Sequence, residues 1–386
     1  MKKKALVLCA AGCGNKGDDA ILQSLVDQFP ELDITATAGT LYSVADQMGI
    51  KTVRCIMNEG FSIKLIFKML RDIFGILVAL LRSDILFIGG GSLIHDLTSY
   101  NLPFFYLWHT IAYIAKKRIY YYTVGVGPLK TKFGRKLSAF FLKRSDVLLV
   151  RDRNSMDICK SINLKNAVFA PDGAFMLESA RHPIYLDGIP SKDYVTVTAC
   201  EWFESSNFWN KKDINFQNEI LNLSECLKAV LNEFNKKLVF VPTVCHDYKL
   251  ALKLKEHFSD EDFLIVSPSL SHMDMREIIS NSYMLFGIRL HSMIFAASSG
   301  VPFIAAVYDK KVSELLEMLD ISEYGIPLGD ITPDRTAEIA KSLAGDYSRI
   351  QEKLKKKTSN LKDIINSGVT LIKGNIKGAS ATWENE

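Results

Sequence analysis

The sequence has no Cys-x-x-Cys pair, no internal repeat, no low-complexity tract and no charge-free apolar run of the roughly 20 residues a membrane span needs. Each absence removes a class of protein. The seven cysteines (Cys9, Cys13, Cys55, Cys159, Cys200, Cys226, Cys245) lie too far apart for a zinc site. Their odd count, inside apolar strand-like segments, reads as reduced core thiols in a cytosolic enzyme. A dominant charge is missing too: 47 Lys and Arg face 43 Asp and Glu, a net charge of +4. The lysines are scattered, so nucleic acid is not expected as a partner.

What is present is a folded chain, 48% hydrophobic and 23% charged, whose 386 residues suit two α/β domains better than one. The start, Lys2 to Lys4 followed by ALVLCAAGC, imitates a short lipoprotein signal. A glycine turn and an amphipathic helix follow it, which suits a first β-strand instead. Strand and helix patterns then alternate. ALVLCA (5–10), DITATA (33–38), TVRCIM (52–57), DILFIGGG (84–91), RIYYYTVGVG (118–127) and VLLVRD (147–152) read as strands, with helices from about Asp18, over 63–82 and over 103–117. Continuous apolar strands separated by helices indicate a parallel sheet covered on both faces.

The pattern breaks over 171–193, which is rich in Pro, Gly and Asp, and restarts at YVTVTAC (194–200). LVFVPT (238–243), FLIVSP (263–268), YMLFGI (283–288) and PFIAAVY (302–308) continue it. The expected organisation is a Rossmann-like domain over 1–180, a linker over 181–193, a second Rossmann-like domain over 194–331 and a helical segment over 332–386 that packs back on the first domain. Two doubly wound domains would leave a central cleft, with the loops at the carboxyl ends of the strands facing it. This resembles the GT-B arrangement.

Four segments carry candidate chemistry. In the run Gly12 to Asp19, Gly12, Gly14 and Gly17 have the G-x-G-x-x-G spacing, but Asp18 and Asp19 follow at once and would oppose a bound pyrophosphate. Either acid is a functional carboxylate or a helix N-cap. In GGGSLIHD (89–96), three glycines suggest close backbone contact with a ligand or a flexible lid, and His95 and Asp96 are either site residues or a capped helix start. In VLLVRDRNS (147–155), Arg151 and Arg153 follow a strand, suited to a phosphate or carboxylate or else to an ion pair with Asp152 or Asp172. In YMLFGIRLHSMIFAASSGVPFIAAVYD (283–309), Arg289 and His291 stand at a strand-to-helix turn, a cation and a proton carrier beside helix N-terminal amides.

Taken in order, GNKGDDAIL, the glycine run followed by Ser-Leu, VGVGP, RDRNS, PDGAF and GIRLHS with GVP resemble the polysaccharide pyruvyl transferase family from Gly12 to Asp309. The resemblance implies a GT-B-like fold, phosphoenolpyruvate as donor and no cofactor. It also implies, as acceptor, a sugar of a cell-surface polysaccharide precursor, lipid-linked in many cases. It maps donor binding onto Arg151, Arg289, Leu290 and His291 and an acidic position onto Asp18 or Asp19; the ketal chemistry then makes His291 the candidate general acid and Asp18 or Asp19 the candidate base. Asn15, Gly90, Gly91, Ser92 and His95 are candidate acceptor or loop contacts. One departure stands out: the strand opening the second domain, where the resemblance leads one to expect an arginine, ends TACEW with Cys200 and Glu201. A lipid-linked acceptor would place the enzyme in the cytoplasm at the inner membrane face, and the apolar, Lys- and Arg-bearing helix at 63–82 is either a core helix or a membrane contact. The tail around QEKLKKK (351–357) reads as a solvated helix face.

Two rivals share these features. A glycosyltransferase using a nucleotide sugar would need a late acidic residue for the ribose, such as Asp309 or Glu314. A non-catalytic scaffold would have no use for Arg151, Arg289 and His291 at strand ends. The sequence carries no oligomer signal.

Overall fold

A computed structural model describes residues 2–39, 48–55, 63–178, 186, 189–200, 216–244 and 246–378. The chain divides into two compact units, Met1–Leu177 with Leu361–Glu386, and Glu178–Asn360. Most of the expected linker, and Glu201 and Cys245, lie outside the described residues.

The first unit is built on β1 (Lys4–Leu8), β2 (Asp33–Ala38), β3 (Lys51–Arg54), β4 (Ile85–Gly89), β5 (Arg118–Val124), β6 (Val147–Val150) and β7 (Ala167–Phe169). They form one parallel sheet in the order β3-β2-β1-β4-β5-β6-β7. All five residues of β4 are buried, because helices cover both faces of the sheet. The second unit holds β8 (Tyr194–Thr198), β9 (Lys237–Phe240), β10 (Phe263–Ile265), β11 (Met284–Gly287), β12 (Phe303–Val307) and β13 (Gly325–Pro327), parallel in the order β10-β9-β8-β11-β12-β13. Apart from β2, which matches its run at 33–38, the strands are shorter than the apolar runs that predict them. Gly125, Val126, Ala199 and Cys200 are buried yet lie beyond the hydrogen-bonded ladders, as the loops at the carboxyl ends. The three-residue edge strands β7 and β13 are too short to show a period.

Both sheets reverse strand order at one place, between β1 and β4 in the first unit and between β8 and β11 in the second. Open α/β sheets bind ligands outside the carboxyl ends of the strands at such a point. The glycine loop after β1, the glycine run after β4 and the Arg289 turn after β11 all stand there.

Helices Ile63–Leu81, Asn101–Ile114, Lys132–Leu142 and Arg153–Ser161 pack one face of the first sheet, where Ile76, Leu80, Phe105, Trp108 and Leu142 join Leu86, Ile88 and Tyr121 in one core. Burying each such side chain contributes roughly 1.5–3 kcal/mol. The opposite face receives α1 (Lys16–Gln28) and the end of a 44-residue helix, Pro333–Ile376. There Tyr120 donates to Asn375 at 2.7 Å, and Gly368 lets the helix press against Leu149, which a Cβ would meet at 3.0 Å. Earlier in the same helix, Thr358 donates to the Ala297 carbonyl at 3.1 Å within the second unit. Cys9, Cys55, Cys159, Cys200 and Cys226 are buried, whereas Cys13 is exposed on the loop after β1 rather than in the core. Among the described residues, no helix is long and apolar enough to cross a membrane.

Candidate functional site

In the first unit the site grows from the turn into α1. Asn15 is the N-cap: its side-chain oxygen accepts from the Gly17 N–H at 3.1 Å, and its amide donates to Asp18 at 2.8 Å. The capping role expected of Asp18 or Asp19 therefore belongs to Asn15, and both acids fall in the first turn, where the helix dipole favours them. They point to different places. Asp19, 1% exposed, accepts from the Gly12 N–H at 2.8 Å and pins the loop from beneath. Asp18 is only half-buried and faces the glycine run, where a Cβ on Gly91 would stand 2.7 Å from its carboxylate oxygen. Gly90 and Gly91 both take positive φ, +89° and +70°. The glycine run thus has a local cause: its backbone turns left-handed twice, and its last glycine leaves room for Asp18.

Ser92 follows, exposed, and accepts from Arg151 at 2.6 Å. Arg151, at the end of β6, is 6% exposed and also pairs with Asp172 at 3.1 Å and Asp152 at 3.3 Å. Both ion pairs exist at once. Burial alone would lower its pKa, but Asp172, then Asp152 and Asp18, more than offset this and hold the guanidinium charged. Asn15, Asp18, Gly91, Ser92 and Arg151 are thus one connected set. His95 is apart from it: its Nδ1 accepts from the Leu97 N–H at 3.3 Å, and burial lowers its pKa against the pull of Asp96. Asp96 accepts from Lys130 and Thr131, so the pair ties loops together and opens no helix; the next helix starts at Asn101.

Burial pushes the Asp19 carboxyl up from 3.8 to about 6, although the Gly12 N–H and Lys16 pull it down. A folded-state pKa above the unfolded one means the folded form binds the proton more tightly. The stabilising contribution is complete below 3.8 and lost as pH rises through about 6. Asp19→Asn, a neutral replacement that can still accept from Gly12, is expected to be more stable than the native protein at pH 7 by on the order of 3 kcal/mol. Paired urea titrations at pH 4 and pH 7 check this, the difference shrinking at the lower pH.

In the second unit, Arg289 is the N-cap of helix Leu290–Ser298 and makes no side-chain capping bond. A helix N-terminus without a side-chain cap is a favourable place for an anion. Arg289 pairs with Asp247 at 2.5 Å, and its Nε is buried with no hydrogen-bond partner among the described residues. Asp247, 1% exposed, accepts from the Thr243 hydroxyl at 2.7 Å and from the amides of Thr243 and Val244, both at 3.1 Å. Burial would weaken the Arg289 charge, but Cys200, Asp247 and Tyr308 hold its pKa above the ordinary value. Leu290 is buried and His291 half-buried in the first turn, while Ser292 bonds Thr198 at the end of β8 at 2.6 Å. The sequence reading missed Asp247, since a lone acid 42 residues before Arg289 gives no local signal. Of the two acids considered for a ribose, Asp309 caps the helix Lys310–Leu319 through the Lys311 N–H at 3.0 Å, and Glu314 is buried.

Two doubly wound parallel sheets, each with cationic or carboxylate side chains at its switch point, define an α/β protein with GT-B-like structural relatives. The chain belongs to the polysaccharide pyruvyl transferase family, which it matches over residues 15–310. It is 20% identical over 398 residues to the amylovoran biosynthesis protein AmsJ of Erwinia amylovora, covering 91% of this chain and 94% of that protein. Among solved structures it is similar to S. aureus MnaA with UDP (TM-score 0.66, 14% identity, 97% of this chain and 96% of that one). A UDP-N-acetylglucosamine 2-epimerase of Listeria monocytogenes aligns with TM-score 0.64 and 12% identity over 100% and 98% of the two chains. Anabaena HepE in complex with UDP and glucose aligns with TM-score 0.57 and 8% identity over 97% and 99%. These likenesses establish the fold. Family membership makes the chain a transferase of polysaccharide biosynthesis with a sugar acceptor.

Proposed function

We propose that the protein transfers the enolpyruvyl carbons of phosphoenolpyruvate onto a lipid-linked sugar at the cytoplasmic membrane face, forming a pyruvate ketal and releasing phosphate. The observation that carries this reading is the Arg289 turn. It combines a guanidinium fixed by Asp247, a buried Nε–H without an acceptor among the described residues, a helix start that the Arg289 side chain does not cap, and an imidazole two residues on. Phosphoenolpyruvate has two anionic groups, a phosphate and a carboxylate, and such a turn suits one of them. His291 delivers a proton to the methylene carbon, which makes C2 electrophilic. One sugar hydroxyl bonds to C2, the C2–O bond to phosphate breaks, and a second hydroxyl of the same sugar closes the ketal. The two hydroxyl protons balance the one taken up by the methylene and the one carried away by base or phosphate. No cofactor enters this scheme.

In the first unit, Asp18 is assigned the base, because it faces the open side of the glycine run while Asp19 is sealed beneath it. Arg151 is assigned an anion contact with two of its five N–H donors, the other three being held by Asp152, Asp172 and Ser92. Asp18→Asn is expected to lower turnover about 100-fold or more, and Asp19→Asn to leave it within about tenfold. The reverse ranking would move the base to Asp19.

The deciding assay incubates the protein with phosphoenolpyruvate and lipid-linked glycans and follows phosphate release and product mass. Phosphate release with the mass gain of a pyruvate ketal supports the proposal. A nucleotide-sugar transferase is the second reading, favoured by the UDP that relatives of the fold hold. No phosphate release, with a thermal shift from a nucleotide sugar, would put it first.

A further inference from the structure

The outer surface of the first unit is unlike the rest of the molecule. Of the fifteen large apolar side chains exposed among the described residues, eleven lie between Leu70 and Phe140. Nine of these are on three helices that share one face of the sheet, and seven of the nine form stripes: Leu70, Phe74 and Leu81 on Ile63–Leu81, Leu107 and Ile114 on Asn101–Ile114, and Phe133 and Phe140 on Lys132–Leu142. Spacings of four and seven residues place each stripe along one side of its helix, opposite the side that packs on the sheet. Phe74, Ile114 and Phe133 are 66%, 74% and 71% exposed. A water-facing helix has no use for a second apolar side.

Charge says what covers it. From Leu70 to Asp146 the chain has eleven Lys and Arg, four Asp and no Glu. Each acid is already engaged: Asp72 with Arg71, Asp84 with the Lys4 N–H, Asp96 with Lys130 and Thr131, Asp146 with Arg118. The cations surround the apolar stripes. Lys132 and Lys136 are exposed beside Phe133, and the Arg144 guanidinium lies 3.6 Å over the Phe140 ring. At the lower rim, Lys116, Lys117, Lys143 and Arg144 line an open cavity of about 750 Å³ next to Tyr113 and Ile114. An apolar surface bordered by cations whose neighbouring acids are occupied complements a layer of anionic headgroups over hydrocarbon.

We propose that the outer face of these three helices is a docking surface for an anionic phospholipid bilayer, lying on it rather than crossing it. The helices pack on the sheet through a shared core, so the surface is preformed. It extends the membrane setting of the proposed function, yet its test needs neither donor nor acceptor, so failure of vesicle binding and failure of pyruvyl transfer are read separately.

The experiment is co-sedimentation of the full chain with vesicles of phosphatidylcholine, with or without phosphatidylglycerol. The native protein is expected to bind the phosphatidylglycerol vesicles at least about tenfold more tightly, and less so as salt rises. Phe74→Asp with Ile114→Asp and Phe133→Asp removes apolar contact, and Lys132→Glu with Lys136→Glu reverses charge. Each set is expected to lower vesicle binding about tenfold or more while the melting temperature stays near native, since every altered side chain is exposed. Absence of native binding to anionic vesicles, or equal binding by both sets, overturns the proposal. So does a native dimer that the Phe133→Asp set dissolves, which would make the face a contact between two copies.

Discussion

Arg289→Ala is expected to lower kcat/KM for pyruvyl transfer about 100- to 1000-fold, the usual effect of removing one preorganised donor from an anion site. Its effect on stability should be small. Arg289 is a third exposed, so its pair with Asp247 is screened, and Asp247 keeps its bonds from Thr243 and Val244 when the arginine is gone. Arg289→Lys restores the charge without the planar fork and should recover only part of the loss. Steady-state kinetics with phosphoenolpyruvate varied, alongside a urea midpoint, check all of this. A rise in KM alone would confine Arg289 to ground-state binding, and near-native kcat/KM would remove it from the site.

The opposite pattern is expected at Asp172. It is 5% exposed, pairs with Arg151 at 3.1 Å and accepts from the Ala174 N–H at 3.0 Å, holding the turn that follows β7. Asp172→Ala leaves a guanidinium, itself 6% exposed, with one carboxylate fewer. Breaking such a pair costs about 3–5 kcal/mol, because the surviving charge stays buried. A lower urea midpoint at unchanged slope is the expected reading. Arg151→Met combined with Asp172→Leu removes both charges and should recover most of that stability, though not the anion contact assigned to Arg151. A loss under about 1 kcal/mol for Asp172→Ala would mean Asp152 and Ser92 hold Arg151 unaided.

The class of fold was legible because runs such as Ile85–Gly89 are apolar at every position, which a parallel sheet covered on both faces requires. The edge strands Ala167–Phe169 and Gly325–Pro327 were not, being as short as Phe263–Ile265 but without its continuous Phe-Leu-Ile-Val run. At the turn into α1, Asn15, Asp18 and Asp19 are all good capping types within five positions, and only the backbone of the folded turn selects Asn15. Arg151 was readable as a ligand contact or an ion-pair partner, and the structure fixes two of its carboxylates without removing the remaining donors. Asp247 was illegible because what makes it matter is Arg289, brought to it by the pairing of β8 with β9 and β11. Long-range partners of that kind have no period and no motif.

The helix Pro333–Ile376 has a consequence for what counts as a domain of this chain. The layer that closes one face of the first sheet is supplied by its last residues, where Tyr120 meets Asn375, Lys3 reaches the Ile376 carbonyl at 2.7 Å and Gly368 lies on Leu149. A fragment ending at Leu177 is contiguous in sequence but lacks a wall, and leaves Leu149, Ala170 and Tyr120 without cover. The smallest autonomous piece of the first unit therefore includes the helical turns from Gly368 to Ile376. During synthesis the sheet of that unit is sealed only after the residues up to Ile376 have been made.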